Sequence, residues 1–555
     1  MSSVETTQTL STSQTRALSQ QEEWWRGAII YQIYPRSFLD TNNDGIGDLR
    51  GVVKGLDYVA SLGVDAIWLS PFFTSPMNDY GYDISDYCDV DPIFGALSDF
   101  DAVIEKAHHL KLKVIIDQVY SHTSDQHAWF EESRQDQTNP KADWYVWADP
   151  KPDGSPPTNW QSVFGGAAWE WDSRRKQYYL HNFLKTQPDL NVHNIAVQNA
   201  LLDVSKFWLD RGVDGFRLDA LNFAMHDPQL RDNPPAPDDD SARTRPFDYQ
   251  LHHFNQSHPD IPKFLERIRT LTNKYDSVFT VAEVGGPTPL KEMKAFTEQN
   301  TRLNSAYDFS FLYANLISNT VTKEAVKEWK DGSHNGWPSW AFSNHDAPRA
   351  ISRWAPPGYS VQAAKLYLLL LLSLRGNAFI YQGEELGLPQ SHVPFESLKD
   401  PEAIANWPLT LGRDGARTPI PWNANEPNAG FSDAVPWLPV DQHHFPLAIS
   451  NQEAQANSVL QFCREVFALR KNTPVLRSGD LNFVEESGGL LAFYRKLHDR
   501  EALCVFNLSA ANEYAWRPLS EKRLERVISV SVESELLSLP EMLKPLSGYV
   551  ALRKS

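Results

Sequence analysis

Eight short, nearly continuous apolar runs separated by helical stretches constrain this chain more than any other feature. They are Ala28–Tyr34, Asp65–Ser70, Lys113–Asp117, Gly215–Asp219, Val278–Glu283, Ala306–Phe309, Trp340–Asn344 and Ala378–Tyr381. A strand that is apolar on both faces belongs in a parallel sheet covered by helices. Eight such units predict an α/β chain built on a (β/α)8 barrel. A doubly wound open sheet is the rival, but no glycine-rich phosphate loop follows the first run. The 555 residues exceed the roughly 250 a barrel needs, so further domains are expected.

Chain organisation follows from the connections. Residues 1–22 are rich in Ser, Thr and Gln, have no cationic start or apolar run, and are read as a flexible tail. The barrel is predicted over 23–121 and 191–474, including an excursion at 382–450 after the eighth run. An inserted domain is predicted at 122–190, because loops of that length are usually functional. A second long connection, 224–262, follows the fourth run. From 475 to 555 alternating runs such as Leu490-Leu-Ala-Phe-Tyr494 predict a C-terminal antiparallel β domain. The longest apolar run, Leu366–Leu374, falls short of the ~20 residues of a membrane span and reads as a buried helix. With three scattered cysteines and no secretory signal, a cytoplasmic location is expected.

The formal net charge of −18 argues against nucleic acid and anionic membranes as partners, since both demand a basic surface. A small neutral or cationic molecule remains. The 18 Trp, 20 Tyr and 28 Phe would suit sugar C–H faces, although most aromatics simply fill cores.

Chemistry-bearing residues gather where the runs end. Asp117 closes the third and His122 follows it; Arg217 and Asp219 close the fourth; Glu283 closes the fifth; His345 and Asp346 follow the seventh. In a parallel barrel these ends share one face, where active sites lie. A carboxylate there is often a helix N-cap, but capping does not account for the recurrence. Arg217 and Asp219, two apart on one strand, point to the same side. A neighbouring cation keeps a carboxylate ionised and oriented, as a nucleophile requires. Glu283 on the next strand would add a second carboxyl about 5 Å away, the pair used in retaining glycoside hydrolysis.

Asp117-Gln-Val-Tyr-Ser-His122, Gly215-Phe-Arg-Leu-Asp219, Ala282-Glu283 and Phe342-Ser-Asn-His-Asp346 resemble, in order, the four signature segments of the α-amylase superfamily. Gln187-Pro-Asp-Leu-Asn191 and Gly63-Val-Asp-Ala-Ile-Trp-Leu-Ser-Pro71 are similar to two more. The opening from Trp24-Trp-Arg to Tyr31-Gln-Ile-Tyr-Pro35 resembles the oligo-1,6-glucosidase and α-glucosidase branch. The resemblance implies that Asp219 attacks the anomeric carbon, that Glu283 is the acid and base, and that Asp346 binds the 2- and 3-hydroxyls. It implies that His122 and His345 hydrogen-bond the same glucose and that Arg217 holds Asp219. Asp79 and Arg413 would fix the 4- and 6-hydroxyls and close the pocket. Tyr82 would stack on the ring, with Phe164, Phe183 and Gln187 lining the site and Asp117 orienting Arg217. Ser121 stands where such families often have Asn. Ala220, directly after the nucleophile, would border the second sugar. In similar oligo-1,6-glucosidases this position is Val, so the smaller Ala implies a preference for maltose-type α-1,4 bonds in short α-glucosides, with transfer to hydroxyl acceptors expected as well.

Asp40-Thr-Asn-Asn-Asp-Gly-Ile-Gly-Asp48 imitates a calcium loop. Asp40, Asn42, Asp44, the carbonyl of Ile46 and Asp48 would supply oxygens to a structural calcium or magnesium ion, but Gly51 stands where an EF-hand has Glu. Related α-glucosidases hold such an ion here, and no organic cofactor is expected. A sucrose isomerase is the alternative on the same scaffold, but Ala220-Leu-Asn-Phe223 lacks the arginine-rich segment of that group. A transporter-associated glycoprotein would bring a membrane span and lose the acids. A metal-dependent hydrolase would use His122, His345 and Asp346 as ligands.

Overall fold

The computed structural model describes residues 23–238, 243–285, 288–327, 329, 336–358, 360–410, 412–485, 489–516, 524–530 and 539–554. The expected tail, 1–22, lies outside them. Eight parallel strands close into a barrel: β1 (Ile29–Ile33), β2 (Ala66–Leu69), β3 (Lys113–Val119), β4 (Gly215–Asp219), β5 (Phe279–Glu283), β6 (Ser305–Asp308), β7 (Trp337–Ala341) and β8 (Asn377–Tyr381). Each strand pairs with its sequence neighbours, and β1 closes on β8.

Alternation divides the strand residues between two cores. Ile30, Ala66, Trp68, Ile115, Phe279, Val281, Tyr307 and Phe379 fill the barrel interior. Their neighbours, among them Ile29, Ile67, Phe216, Leu218 and Ala282, pack outward against the helices. These include α1 (Leu49–Leu62), α2 (Leu97–His109), α3 (Ile195–Asp210), α4 (Ile261–Thr272), α5 (Pro289–Phe296), α6 (Asn319–Lys327), α7 (Ser360–Ser373) and α8 (Val459–Lys471). This two-sided burial is why the strands read as continuous apolar runs. Leu366–Leu374 is buried, as expected; its residues through Ser373 form the end of α7 and Leu374 follows it. Two buried arginines satisfy its last carbonyls: Arg470 donates to Leu372 and Leu374, and Arg495 to Ser373 and Leu374. No helix among the described residues is long and apolar enough to cross a membrane.

One strand departs from expectation. β7 runs Trp337–Ala341, not Trp340–Asn344. Pro338 sits inside it, facing Ala306 of β6, where a sequence reading expects no proline. Asn344 has already left the sheet, and its Oδ1 accepts from the N–H groups of Asp346 and Ala347. That side-chain turn presents His345 and Asp346 just beyond the strand end.

The excursion after β3 carries a three-stranded sheet, with Gln177–Leu180 between Trp147–Ala148 and Trp169–Asp172. Near the C-terminus a five-stranded antiparallel sheet runs in the order Asp480–Phe483, Leu491–Leu497, Arg500–Asn507, Ser547–Lys554, Leu524–Val530.

Candidate active site

Strand register builds the site. Asp117 on β3 lies opposite Arg217 on β4, and Arg217 lies opposite Val281 on β5, two residues before Glu283. Arg217 is fully buried, and its guanidinium meets three carboxylates. Nη1 donates to Asp117 Oδ1 at 2.6 Å and to Asp219 Oδ1 at 2.5 Å. Nη2 lies 2.7 Å from Glu283 Oε2, an ionic contact without the alignment of a hydrogen bond. Trp68 Nε1 holds the other oxygen of Asp117 at 2.9 Å.

Burial and charge separate the two carboxyls at the mouth. Burial raises Asp219 to about 6, opposed mainly by Arg217. Burial raises Glu283 further, to about 8, with Arg217 opposing and the charges of Asp219 and Asp346 adding to the rise. At neutral pH Asp219 is therefore largely an anion and Glu283 largely an acid, the division that acid-assisted covalent catalysis needs. The residue between them in space is strained. Ala220 has φ 41° and ψ 40°, left-handed for a residue with a Cβ, and its N–H donates to Glu283 Oε2 at 3.0 Å.

Asp346 is the third acid. Burial would raise it, but His345, Arg417 and Arg413 together hold it far below the ordinary carboxylate range. Arg417 Nη2 donates to Asp346 Oδ1 at 2.6 Å. Burial lowers His345 to about 3, so its ring is neutral. Gln32 Nε2 donates to His345 Nδ1 at 2.8 Å, which leaves the ring proton on Nε2, beside the Tyr82 hydroxyl and 3.2 Å from Asp346 Oδ2. Tyr82 stacks flat on His345, with 6° between the planes.

The far wall is ionic. Arg413 Nη2 donates to Asp79 Oδ1 at 2.9 Å and to Asp400 Oδ1 at 2.8 Å. Gln187 Nε2 donates to the other oxygen of Asp79 at 3.1 Å and lies 3.2 Å from His122 Nε2. Burial lowers His122 to about 3 as well, so it too is neutral. Ser121 Oγ is 2.9 Å from His122 Nδ1, filling the orienting role that Asn would otherwise take. Phe183 packs on His122 at 4.9 Å and on Phe164 at 6.0 Å, and Arg413 lies over the Phe164 ring.

The structure thus gathers Asp79, Tyr82, His122, Phe164, Phe183, Gln187, Arg217, Asp219, Ala220, Glu283, His345, Asp346 and Arg413 around one mouth. The neutral imidazoles are engaged with side chains of that mouth, an arrangement unlike a His122–His345–Asp346 metal centre. A cavity of about 600 Å³ lined by Asn159, Asn233, Arg245, Tyr249 and Leu409 lies apart from the carboxylates. Arg245 links it to the rim through Glu402, 3.5 Å away.

Sequence reasoning missed Asp400, Arg417 and Gln32. Gln32 carried a signal, an amide two residues after Ile30 on an inward-facing strand position. Arg417 stands four residues after Arg413. Asp400 precedes Pro401 and reads only as a helix cap, which it also is, accepting from the Glu402 N–H.

The loop of residues 40–48 stands apart from these acids. Its side-chain donor set is entirely oxygen, the chemistry of a hard divalent cation. Much of that oxygen already winds the loop. Asp40 accepts from the N–H groups of Asn42, Asn43 and Gly45, Asp44 from that of Ile46, and Asp48 from those of Thr41 and Gly51. Gly51 replaces the EF-hand Glu for a steric reason: a Cβ there would sit 1.9 Å from the Leu39 carbonyl oxygen. The oxygen chemistry of the loop suits calcium or magnesium, and the steric demand at Gly51 leaves no room for a twelfth-position carboxylate.

The family model for the alpha amylase catalytic domain matches residues 32–479. The chain belongs to the α-amylase family. This α-amylase-family chain is 50% identical to a probable alpha-glucosidase of Rhizobium meliloti (strain 1021), over 95% of its own length and 97% of the relative's. It is 37% identical to an oligo-1,6-glucosidase of Parageobacillus thermoglucosidasius, over 88% of its own length and 90% of the relative's. Among solved structures, the alpha-glucosyl transfer enzyme XgtA matches with a TM-score of 0.90 and 49% identity, over 96% of this chain and 99% of that one. Isomaltulose synthase from Erwinia rhapontici NX5 matches at 0.86 and 32%, over 96% and 99%. The chain is an α-glucosidase-type glycoside hydrolase on a (β/α)8 barrel.

The opposed protonation of Asp219 and Glu283 predicts a bell-shaped pH profile. With Asp219 as the anion and Glu283 as the acid, kcat/KM is expected to rise as pH passes about 6 and to fall as it passes about 8. Glu283→Gln, assayed on an aryl α-glucoside whose leaving group needs no proton, is expected to lose the alkaline limb and keep the acid one. An unchanged alkaline limb would detach it from Glu283.

Proposed function

We propose that this protein is an exo-acting, retaining α-glucosidase that releases or transfers one glucose from the non-reducing end of short α-glucosides, with maltose-type α-1,4 bonds preferred. The observation that carries the reading is the pair of ionic groups on either side of the mouth. On one side Arg217 binds both Asp219 and Glu283; on the other Arg413 binds Asp79 and Asp400. A guanidinium shared by two carboxyls keeps them close, which supports the ~5 Å spacing of a retaining pair over the wider inverting one. Asp219 attacks the anomeric carbon while Glu283 protonates the departing oxygen. Glu283, now an anion, takes a proton from water or from an acceptor hydroxyl, whose oxygen bonds to the anomeric carbon and displaces Asp219 as its carboxylate. Asp346, held anionic by Arg417, hydrogen-bonds the sugar hydroxyls as positive charge develops at the ring. The likeness to XgtA supports transfer beside hydrolysis.

The Arg413–Asp79–Asp400 cluster supports a closed non-reducing end. Maltotriose is expected to lose glucose one unit at a time and starch to be a poor substrate; early release of maltose from long chains would overturn the exo reading. Asp79→Ala leaves buried Arg413 short of a charged partner and is expected to reduce kcat/KM for maltose about tenfold or more.

Linkage choice rests on Ala220. Its Cβ borders the second sugar in this reading, and a β-branched side chain there would crowd an α-1,4-linked ring more than an α-1,6-linked one on its rotatable methylene. Maltose is therefore expected to be preferred over isomaltose. Ala220→Val is expected to move the kcat/KM ratio toward isomaltose by roughly tenfold to a hundredfold. Because φ is 41° here, Ala220→Gly is the control: it relieves the backbone and should keep the maltose preference. An unchanged ratio in Ala220→Val would remove Ala220 as the selector.

For the loop of residues 40–48 the same reading assigns Asp40, Asn42, Asp44, the Ile46 carbonyl and Asp48 to a structural calcium or magnesium ion. Chelation is expected to lower the unfolding temperature, and added calcium or magnesium to restore it. An unfolding temperature indifferent to chelation would remove the ion.

A further inference from the structure

Away from the catalytic mouth, three histidines from three separate segments converge. His193 stands where the chain returns from the β3 excursion into α3, His226 follows β4, and His258 and Asp260 precede α4. The rings of His193 and His258 lie 4.8 Å apart, nearly perpendicular, and His193 lies 5.3 Å from His226. One ligand atom from each of His193, His258 and Asp260 falls within 4.8 Å of the others. Donors on one tetrahedral ion at 2.0–2.1 Å stand about 3.3 Å apart, so small rotamer adjustments would bring these three together.

The tautomer of His193 is set by its surroundings. Its Nε2 lies 2.8 Å from the His226 carbonyl oxygen, which can only accept, so Nε2 carries the proton and the lone pair of a neutral ring sits on Nδ1. A ring nitrogen donating to a backbone carbonyl while the other stays open is the usual support of a metal-bound histidine. His258 supplies the second imidazole of the group. Its Nδ1 accepts the Asp260 N–H at 3.2 Å and lies 3.9 Å from Asp260 Oδ2. The charged groups facing it are Asp260, Asp227 and Lys263; Lys263 pairs with Asp260 at 2.7 Å but is 77% exposed and free to swing away.

We propose that His193, His258 and Asp260 form a binding site for a divalent transition-metal ion of the zinc class. Two imidazoles and a carboxylate suit Zn²⁺, Ni²⁺ or Cu²⁺ rather than Mg²⁺ or Ca²⁺, so the site is chemically distinct from the all-oxygen loop of residues 40–48. It clasps the return from the β3 excursion to the segment leading into α4. That segment reaches the nucleophile strand: Ser257 N–H donates to the Asn222 carbonyl at 2.6 Å, and Asn222 Nδ2 to Gln256 Oε1 at 2.6 Å, three residues beyond Asp219. An ion here would brace the wall beside Ala220.

The test is calorimetric titration of the full chain with Zn²⁺, with excess Mg²⁺ in every buffer to occupy the oxygen loop. One Zn²⁺ per chain is expected, with a raised unfolding temperature. His193→Gln and His258→Gln should each weaken binding by more than about tenfold and abolish the thermal shift. Asp260→Asn, at an exposed position that leaves the fold alone, should also weaken it, while His443→Gln, on a separate exposed histidine, should not. Activity without zinc should match the parent in all four variants, confirming intact folds. Absence of Zn²⁺ binding to the parent, or binding unchanged in both the Asp260→Asn and His258→Gln proteins, would overturn the site.

Discussion

One buried guanidinium organises the catalytic end of this barrel. Arg217 has no exposure, yet three carboxylates from three adjacent strands converge on it. A charge so placed would be untenable unpaired, and three acids so close would not ionise together without it. Its guanidinium compensates burial most where it makes two short contacts with aligned acids. It compensates Glu283 less, and Glu283 rises furthest. The proposed roles of acid and nucleophile rest on how one cation is shared. The barrel supplies the precision: parallel register sets Asp117 level with Arg217 and places Glu283 two residues beyond Val281, the β5 partner of Arg217, while side-chain alternation turns Arg217 and Asp219 inward together.

A second cation pair repeats the device across the mouth. Arg413 and Arg417, four residues apart in the excursion after β8, hold Asp79, Asp400 and Asp346. Asp79 comes from the loop after β2, and Gln187, which also holds it, from the end of the β3 excursion. Three long connections therefore meet over the barrel through charged hydrogen bonds, with aromatic contacts such as Tyr80–Trp437 beside them. Neutral His122 and His345 sit between the two cation clusters, where burial prevents them from adding further positive charge. The result is a polar mouth whose donors and acceptors are fixed before a sugar arrives, the condition for electrostatic stabilisation of a transition state.

Much of this was legible in the sequence, for definable reasons. Barrel strands buried on both faces leave continuous apolar runs, and acids at their ends stand out against that background. Strand β7 was displaced because Pro338 disguised its first half and the capping residue Asn344 resembled its continuation. Arg417 was illegible because its partner is distant in sequence: it reaches Asp346 across 71 residues, whereas Asp400, 13 residues before Arg413, read only as a helix cap. The side chain that completes a buried ion pair has no local pattern to announce it. The His193–His258–Asp260 grouping was hidden for the same reason, since its members come from segments separated by β4 and its loop.

In the proposed mechanism Arg217 divides two neighbouring carboxyls into a nucleophile and an acid. The most direct measurement is to trap the covalent species. Glu283→Gln accepts an activated α-glucosyl donor but lacks the base that would release the sugar, so the glucosyl-enzyme should accumulate. Acid quenching and peptide mass spectrometry should then find one added glucosyl group, on the peptide containing Asp219 and on that carboxylate. A glucosyl group on any other residue, or steady turnover of the donor with no adduct at all, would contradict it.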